Sequence, residues 1–265
     1  AIKPLSAEEQ IVAARLRDVE ELKKARVHPF HVLQAMKVYG DGRSLKGGNL
    51  MRGDGPTWTP SQKVMDALND AFYLAFQAVV PTGKRHYIGL DISGSMGSSF
   101  MGSSLTVREA SCAMCMVTNA VEPSTYIVGV TSKSGYSYRR ITSPFNGLTP
   151  INFTASMRLD TIVRATAALP MGGTDCALPM IDALEKKLEV DVFMVITDNE
   201  TWAGSIHPMQ ALKNYRTITG IPAKLVVVGM TATEFSIADP QDGGCMDVVG
   251  FSSDAPAVIA DFVRN

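Results

Sequence analysis

The spacing of hydrophobic positions changes once along this chain, near residue 80. Before that point apolar residues recur every three or four positions, the period of helices. Val12, Leu16, Val19 and Leu22 line one face of residues 7–26. Glu8, Glu9, Arg15, Asp18, Glu21 and Lys24 occupy the other faces, which predicts one amphipathic helix. Ser6 followed by Glu9 predicts a capping box at its start. A second helix is expected over 29–39, with Phe30, Leu33 and Met36 buried and Gly40 as its stop. Thr59 as N-cap and Pro60 at the first helical position open a third. Its buried stripe is Val64, Met65, Leu68, Phe72, Ala75, Phe76 and Val79, and Pro81-Thr82-Gly83 ends it.

From Lys84 onward short apolar runs alternate with helical patterns. Strands are expected at 86–91, 126–130, 191–197, 223–229 and near 246–249. Helices are expected at about 104–121, 155–168, 177–188, 207–219 and 255–263. The more polar run Tyr136–Thr142 reads as an antiparallel edge strand. This alternation predicts an α/β domain, Rossmann-like and doubly wound, with a mostly parallel sheet and right-handed crossovers. A small all-α segment precedes it, so the domains are expected at 1–83 and 84–265. In such a sheet, ligands bind beyond the carboxyl ends of the strands, where the strand order reverses.

Composition narrows the class. Of the 265 residues, 46% are hydrophobic and 19% charged, as in ordinary globular chains. No apolar run approaches the roughly 20 residues of a membrane span, so no membrane partner is expected. The chain opens on Ala1-Ile2-Lys3-Pro4 without an initiator Met or signal peptide, and reads as a fragment or processed product. Cys112, Cys115, Cys176 and Cys245 do not form a secreted-type disulfide framework. Cys112 and Cys115 have redox or zinc spacing, but they sit in an apolar helical run and read as core. Free thiols make the cytoplasm the natural compartment. The net charge of −1 draws no nucleic acid globally, and the first 80 residues hold 11 Lys/Arg against 9 Asp/Glu. The glycine-rich stretch 41–55 carries Arg43, Lys46 and Arg52. It lacks the Gly-Lys-Ser/Thr of a phosphate loop and reads first as a connection, with phosphate contact as the alternative.

The candidate chemistry lies at three strand ends or loops. Tyr87–Gly97 runs from apolar residues into Asp91, Ser93 and Ser95. Pro170–Cys176 is a glycine loop carrying Thr174, and Val192–Asp198 is an apolar run ending in an acid. Carboxylate and hydroxyl oxygens are hard donors suited to Mg²⁺ or another divalent cation. Each part alone has a plain reading: Asp91 or Thr174 as a helix cap, Asp198 as a turn residue. Asp-x-Ser-x-Ser, then Gly-Gly-Thr, then strand-Thr-Asp together resemble the metal-ion-dependent adhesion site of von Willebrand factor A domains. A phosphoryl-transfer enzyme with Asp91 as nucleophile is the rival, but Ser93 stands where its general acid would be. The four histidines are scattered, and no catalytic triad is in view, so no enzyme is expected.

A wider resemblance rests on other stretches. Gly172–Met180, Thr197–Thr201, His207-Pro208, Pro222–Leu225 and Ala238–Pro240 resemble the Ro autoantigen (TROVE) ribonucleoprotein family. His28–His31 and Pro81–Lys84 resemble the last HEAT-like repeats of that family's ring and its junction with the A domain. The resemblance implies small non-coding Y RNA scaffolding and RNA quality control, with misfolded RNA and exoribonucleases as partners. It carries over Asp91, Ser93, Ser95, Thr174 and Asp198 as metal positions. That family's ring takes several hundred residues, whereas this chain has about 80 helical ones, so most of the RNA surface is absent here. The alternative is a stand-alone A domain whose metal captures an acidic protein ligand without RNA.

Overall fold

The computed structural model describes residues 5–44, 56–99, 105–131, 147–154, 157–198, 204–229, 237–250 and 254–265. The chain divides into two compact units, residues 1–80 with 99–105, and residues 81–98 with 106–265.

The first unit is helical. Its described helices are α1 (Ala7–Leu16), α2 (Val19–Lys24), α3 (Pro29–Gly40) and α4 (Gln62–Leu74), with a tight 3₁₀ turn at Ala75–Ala78. The single helix expected over 7–26 is two helices. Asp18 breaks it, because its carboxylate accepts from the N–H groups of Glu20 and Glu21 and starts a new helix. The third helix starts later than expected. Ser61, not Thr59, is the N-cap, its hydroxyl accepting from Val64 N at 3.3 Å. Gly40 closes α3 as its last residue, with Asp41 following as the cap. The expected capping box is half formed. The Ser6 hydroxyl accepts from Glu9 N at 3.2 Å, but the buried Glu9 carboxylate takes Leu5 N and the Ser61 hydroxyl instead. Ala13, Leu22, Phe30, Leu33, Val64, Leu68 and Phe72 fill the core between the helices. An antiparallel bridge between Arg43 and Thr57 closes the base of the glycine-rich stretch. Ser44 N donates to Pro56 O at 2.9 Å and Trp58 N to Gly42 O at 2.8 Å. Lys46 and Arg52 lie outside the described residues.

The second unit is built on β1 (Arg85–Asp91), β2 (Ser124–Val130), β3 (Leu148–Pro150), β4 (Val192–Thr197), β5 (Lys224–Gly229) and β6 (Cys245–Val249). Among the described residues they form one sheet in the order β3-β2-β1-β4-β5-β6. All pairs are parallel except β2 with β3. The antiparallel strand is thus at 148–150, and the expected strand at Tyr136–Thr142 lies outside the described residues. The helices are α5 (Val107–Val121), α6 (Leu159–Ala167), α7 (Leu178–Glu185), α8 (Pro208–Thr219) and α9 (Ala255–Arg264). None of the described helices is long and apolar enough to cross a membrane.

Burial on both faces explains the continuous apolar strands. Every residue of β4 is buried, and every residue of β1 but Arg85. Tyr87, Phe193, Val195, Leu225 and Val227 pack with Leu178, Met180, Leu212 and Tyr215 of α7 and α8 in one cluster. Gly89 lets α7 close on the sheet, since a Cβ there would meet the Pro179 ring at 2.7 Å. Strands β2 and β4 flank β1 on opposite sides, so the strand order reverses beside β1, where its carboxyl end carries Asp91.

Cys112, Cys115 and Cys176 are fully buried, and burial pushes the Cys112 thiol up to about 11. Cys245 is only partly buried. Thiol reagents should therefore label Cys245 first in the native protein and reach the other three only on unfolding. Mass spectrometry after timed labelling checks this order; rapid native modification of Cys112 or Cys115 would contradict it.

Candidate metal centre

Strand β1 delivers Asp91 into the interior at its last residue, where the side chain is only 2% exposed. Its two oxygens are held separately. Oδ1 accepts from Ser93 N at 2.7 Å, and Oδ2 accepts from the Thr197 hydroxyl at 2.7 Å. The side chains of Ser93 and Thr174 also hydrogen-bond it. Burial raises the Asp91 carboxyl above its ordinary value, and these hydrogen bonds pull the other way. No salt bridge to Asp91 occurs among the described residues.

The loop after β1 turns at once into a short 3₁₀ segment, Gly94–Gly97. Its curl brings the Ser93 and Ser95 hydroxyls to 2.9 Å from each other. Ser93 is half-buried and Ser95 exposed, so the pair runs from the buried carboxylate out to solvent. The glycine loop is tied to the neighbouring strand end by the Thr131 hydroxyl, which donates to Gly173 O at 3.3 Å. Asp198 follows Thr197 at the end of β4 and is buried.

Of the five expected metal positions, hydrogen bonds thus join Asp91, Ser93, Ser95 and Thr174 in one cluster. Asp198 stands one residue beyond Asp91's partner Thr197. Among the described residues no group of three or more His, Cys, Asp or Glu could hold a metal, so any cation here would rest on hydroxyls as much as acids. Arg43 lies in the helical unit, at the bridge to Thr57. His28 and His207 cap α3 and α8 through Nδ1, a structural role.

Two residues at the site escaped the sequence reading. Thr197 belongs to the expected strand-Thr-Asp stretch but not to the expected metal positions, and its hydroxyl holds Asp91. Arg108, in the first turn of α5, donates from Nη2 to Ser93 O at 2.8 Å. A cation in a helix's first turn runs against the helix dipole, and that was the available signal.

A Rossmann-like sheet with this oxygen-lined loop at its carboxyl edge defines a von Willebrand factor A type domain. A family model described as the Ro60 vWA domain matches residues 85–263. The chain is 41% identical over 255 residues to the RNA-binding protein RO60 of Caenorhabditis elegans, covering 96% of this chain and 36% of that protein. It is 40% identical over 262 residues to the protein of the same name from Deinococcus radiodurans, covering 98% and 45%. The crystal structure of the Deinococcus radiodurans Ro (Rsr) protein superposes with a TM-score of 0.87 at 39% identity, covering 99% of this chain and 49% of that one. The chain belongs to the Ro60 family, and it spans less than half the length of these relatives.

The raised Asp91 carboxyl has a consequence for stability without metal. Its folded state holds a proton to higher pH than the unfolded state does. Stability therefore falls as pH rises from the ordinary carboxylate value of 3.8 through the folded value. Asp91→Asn removes that loss. In chelator its melting temperature should exceed wild type at pH 7, with the gap closing towards pH 4. A gap that does not change with pH would show that Asp91 is not held as a strained anion.

Proposed function

We propose that this chain supplies the divalent-cation-dependent ligand site and the closing helices of a Ro-type RNA-binding protein. The observation that carries the metal reading is Asp91: a buried carboxylate with no ion-pair partner among the described residues, bordered by the hydroxyls of Ser93, Ser95 and Thr174. A buried anion without a cation is costly, and a bound cation offsets that cost. The donor set is all hard oxygen, which fits Mg²⁺. Asp91, Ser93, Ser95, Thr174 and Asp198 would hold it, directly or through water. When bound, the ion supplies an open position for an anionic ligand. The chain's own residues would orient that ligand rather than transform it, so we read the site as a binder and not an enzyme.

The RNA half of the reading rests on family membership. The relatives named RNA-binding protein RO60 support RNA as the partner of the whole protein. Y RNA scaffolding, handling of misfolded RNA with an exoribonuclease, and a cytoplasmic setting follow as parts of the same proposal. An acidic protein ligand at the metal is the competing occupant.

Calorimetry with Mg²⁺ tests the metal directly. Wild type should bind, and Asp91→Ala should not, while retaining the wild-type circular dichroism spectrum. Saturating Mg²⁺ should also raise the melting temperature, since 100-fold excess over Kd adds about 2.7 kcal/mol. Equal affinity in the two proteins would sink the assignment.

RNA binding by this chain alone should be weak. Arg43, Lys46 and Arg52 could neutralise about three phosphates, giving a log–log salt slope of about −2 for single strands. Arg43→Ala with Arg52→Ala should reduce the binding that remains. A steep slope with tight binding would move the RNA surface elsewhere in this chain. No salt dependence, with retention of acidic peptides, would favour the protein ligand.

A further inference from the structure

Arg108 is the second buried charge at the site, and its surroundings are unfavourable to it. The residue is 5% exposed, in the first turn of α5. Among the described residues no carboxylate pairs with it, and its buried Nη1 has no hydrogen-bond partner. Removing a guanidinium from water costs free energy unless partners replace the water. The positive end of the helix dipole adds to that cost. An apolar side chain of similar length would fill the volume without either penalty.

What the guanidinium does provide is one charge-assisted hydrogen bond, from Nη2 to Ser93 O. The same residue's N–H donates to Asp91 Oδ1 at 2.7 Å. Ser93 is therefore gripped on two successive peptide groups, by a buried anion at one and a buried cation at the next. Fixing both peptide planes fixes the direction of its Cα–Cβ bond. From that Cβ the Ser93 hydroxyl lies 2.9 Å from that of Ser95. The Ser93 carbonyl also accepts from Met96 N at 3.3 Å, so the clamp extends into the 3₁₀ turn.

We propose that Arg108 is a positioning residue for the divalent-cation site: it clamps the Ser93 carbonyl and so holds the Ser93 and Ser95 hydroxyls in binding geometry. This inference rests on reading the Asp91 cluster as a cation site. Two effects of Arg108 on a bound cation oppose each other. Its charge repels the ion, while its hydrogen bond orders the ligands in advance. We take the clamp as the larger effect because the guanidinium is bonded to the carbonyl of a ligand residue.

The test compares wild type, Arg108→Met and Arg108→Lys, each as the 265-residue chain. Mg²⁺ affinity is measured by calorimetry, and deuterium exchange over residues 93–98 is followed in chelator. Arg108→Met should weaken Mg²⁺ binding on the order of tenfold, as for one lost charge-assisted hydrogen bond. It should also speed exchange at Met96. Arg108→Lys, which keeps a donor and the charge, should recover part of both. Unchanged or tighter Mg²⁺ binding in Arg108→Met overturns the proposal while leaving the Asp91 reading standing. Absence of Mg²⁺ binding in wild type overturns the Asp91 reading and the metal role of Arg108 together. Unchanged exchange in Arg108→Met shows that there is no clamp, whatever the metal result.

Discussion

The electrostatics of the second unit turn on one carboxylate held out of water. Asp91 ends the strand that both flanking strands pair with, so it cannot move to solvent without disturbing β1. Its environment compensates only in part. A backbone N–H and a threonine hydroxyl satisfy its oxygens, yet burial still raises its carboxyl. Hydrogen-bond donors of this kind offset some of the desolvation of an anion but supply no opposite charge. The strand end thus holds an electrostatic deficit, and the open side of the loop, at Ser95, is where solvent or a ligand can reach it.

Packing makes that deficit tolerable. Gly89 brings α7 against the sheet, and the cluster from Tyr87 through Tyr215 fills the face behind it. Tyr215 itself is pinned, donating to Leu188 O at 2.7 Å and accepting from Val190 N at 2.7 Å. A rigid interior of this kind cannot relax to hydrate a charge, because close-packed cores deform little. Rigidity and the buried carboxylate are therefore two sides of one arrangement.

Much of this was readable from residue order. Continuous apolar runs before Asp91 and Asp198 placed both acids at strand ends, because buried parallel strands need apolar residues on both faces. The glycine loop before Thr174 was legible for the same reason: its composition marks a turn between periodic segments. Local polar competition was not legible. Asp18 broke a helix whose apolar spacing ran straight through it, and Ser61 displaced Thr59 as cap. In both cases a short side chain captured backbone N–H groups, an event that periodicity does not register. Glu9 shows the same limit across distance, since its partner Ser61 is 52 positions away. Thr197 and Arg108 were missed because their roles depend on which strand neighbours β1 and which helix starts above the loop. Those are facts of topology rather than of spacing.

The two units also differ in how far family membership extends their meaning. In the α/β unit the matching family model covers the fold, and Asp91, Ser93 and Ser95 meet within this chain's own residues. A site assembled from one sheet edge needs no further polypeptide to exist, so its chemistry can be argued locally. The helical unit is different. The family resemblance implies HEAT-like repeats for it, and repeat architectures bind over surfaces that extend across many repeats. The four described helices and the turn, in a segment whose cations are nearly balanced by acids, would be a small part of such a surface. The relatives are more than twice as long, and nucleic-acid affinity scales with the number of phosphates neutralised. On the proposal above, cation binding therefore belongs to this length of chain and strong RNA binding to a longer one.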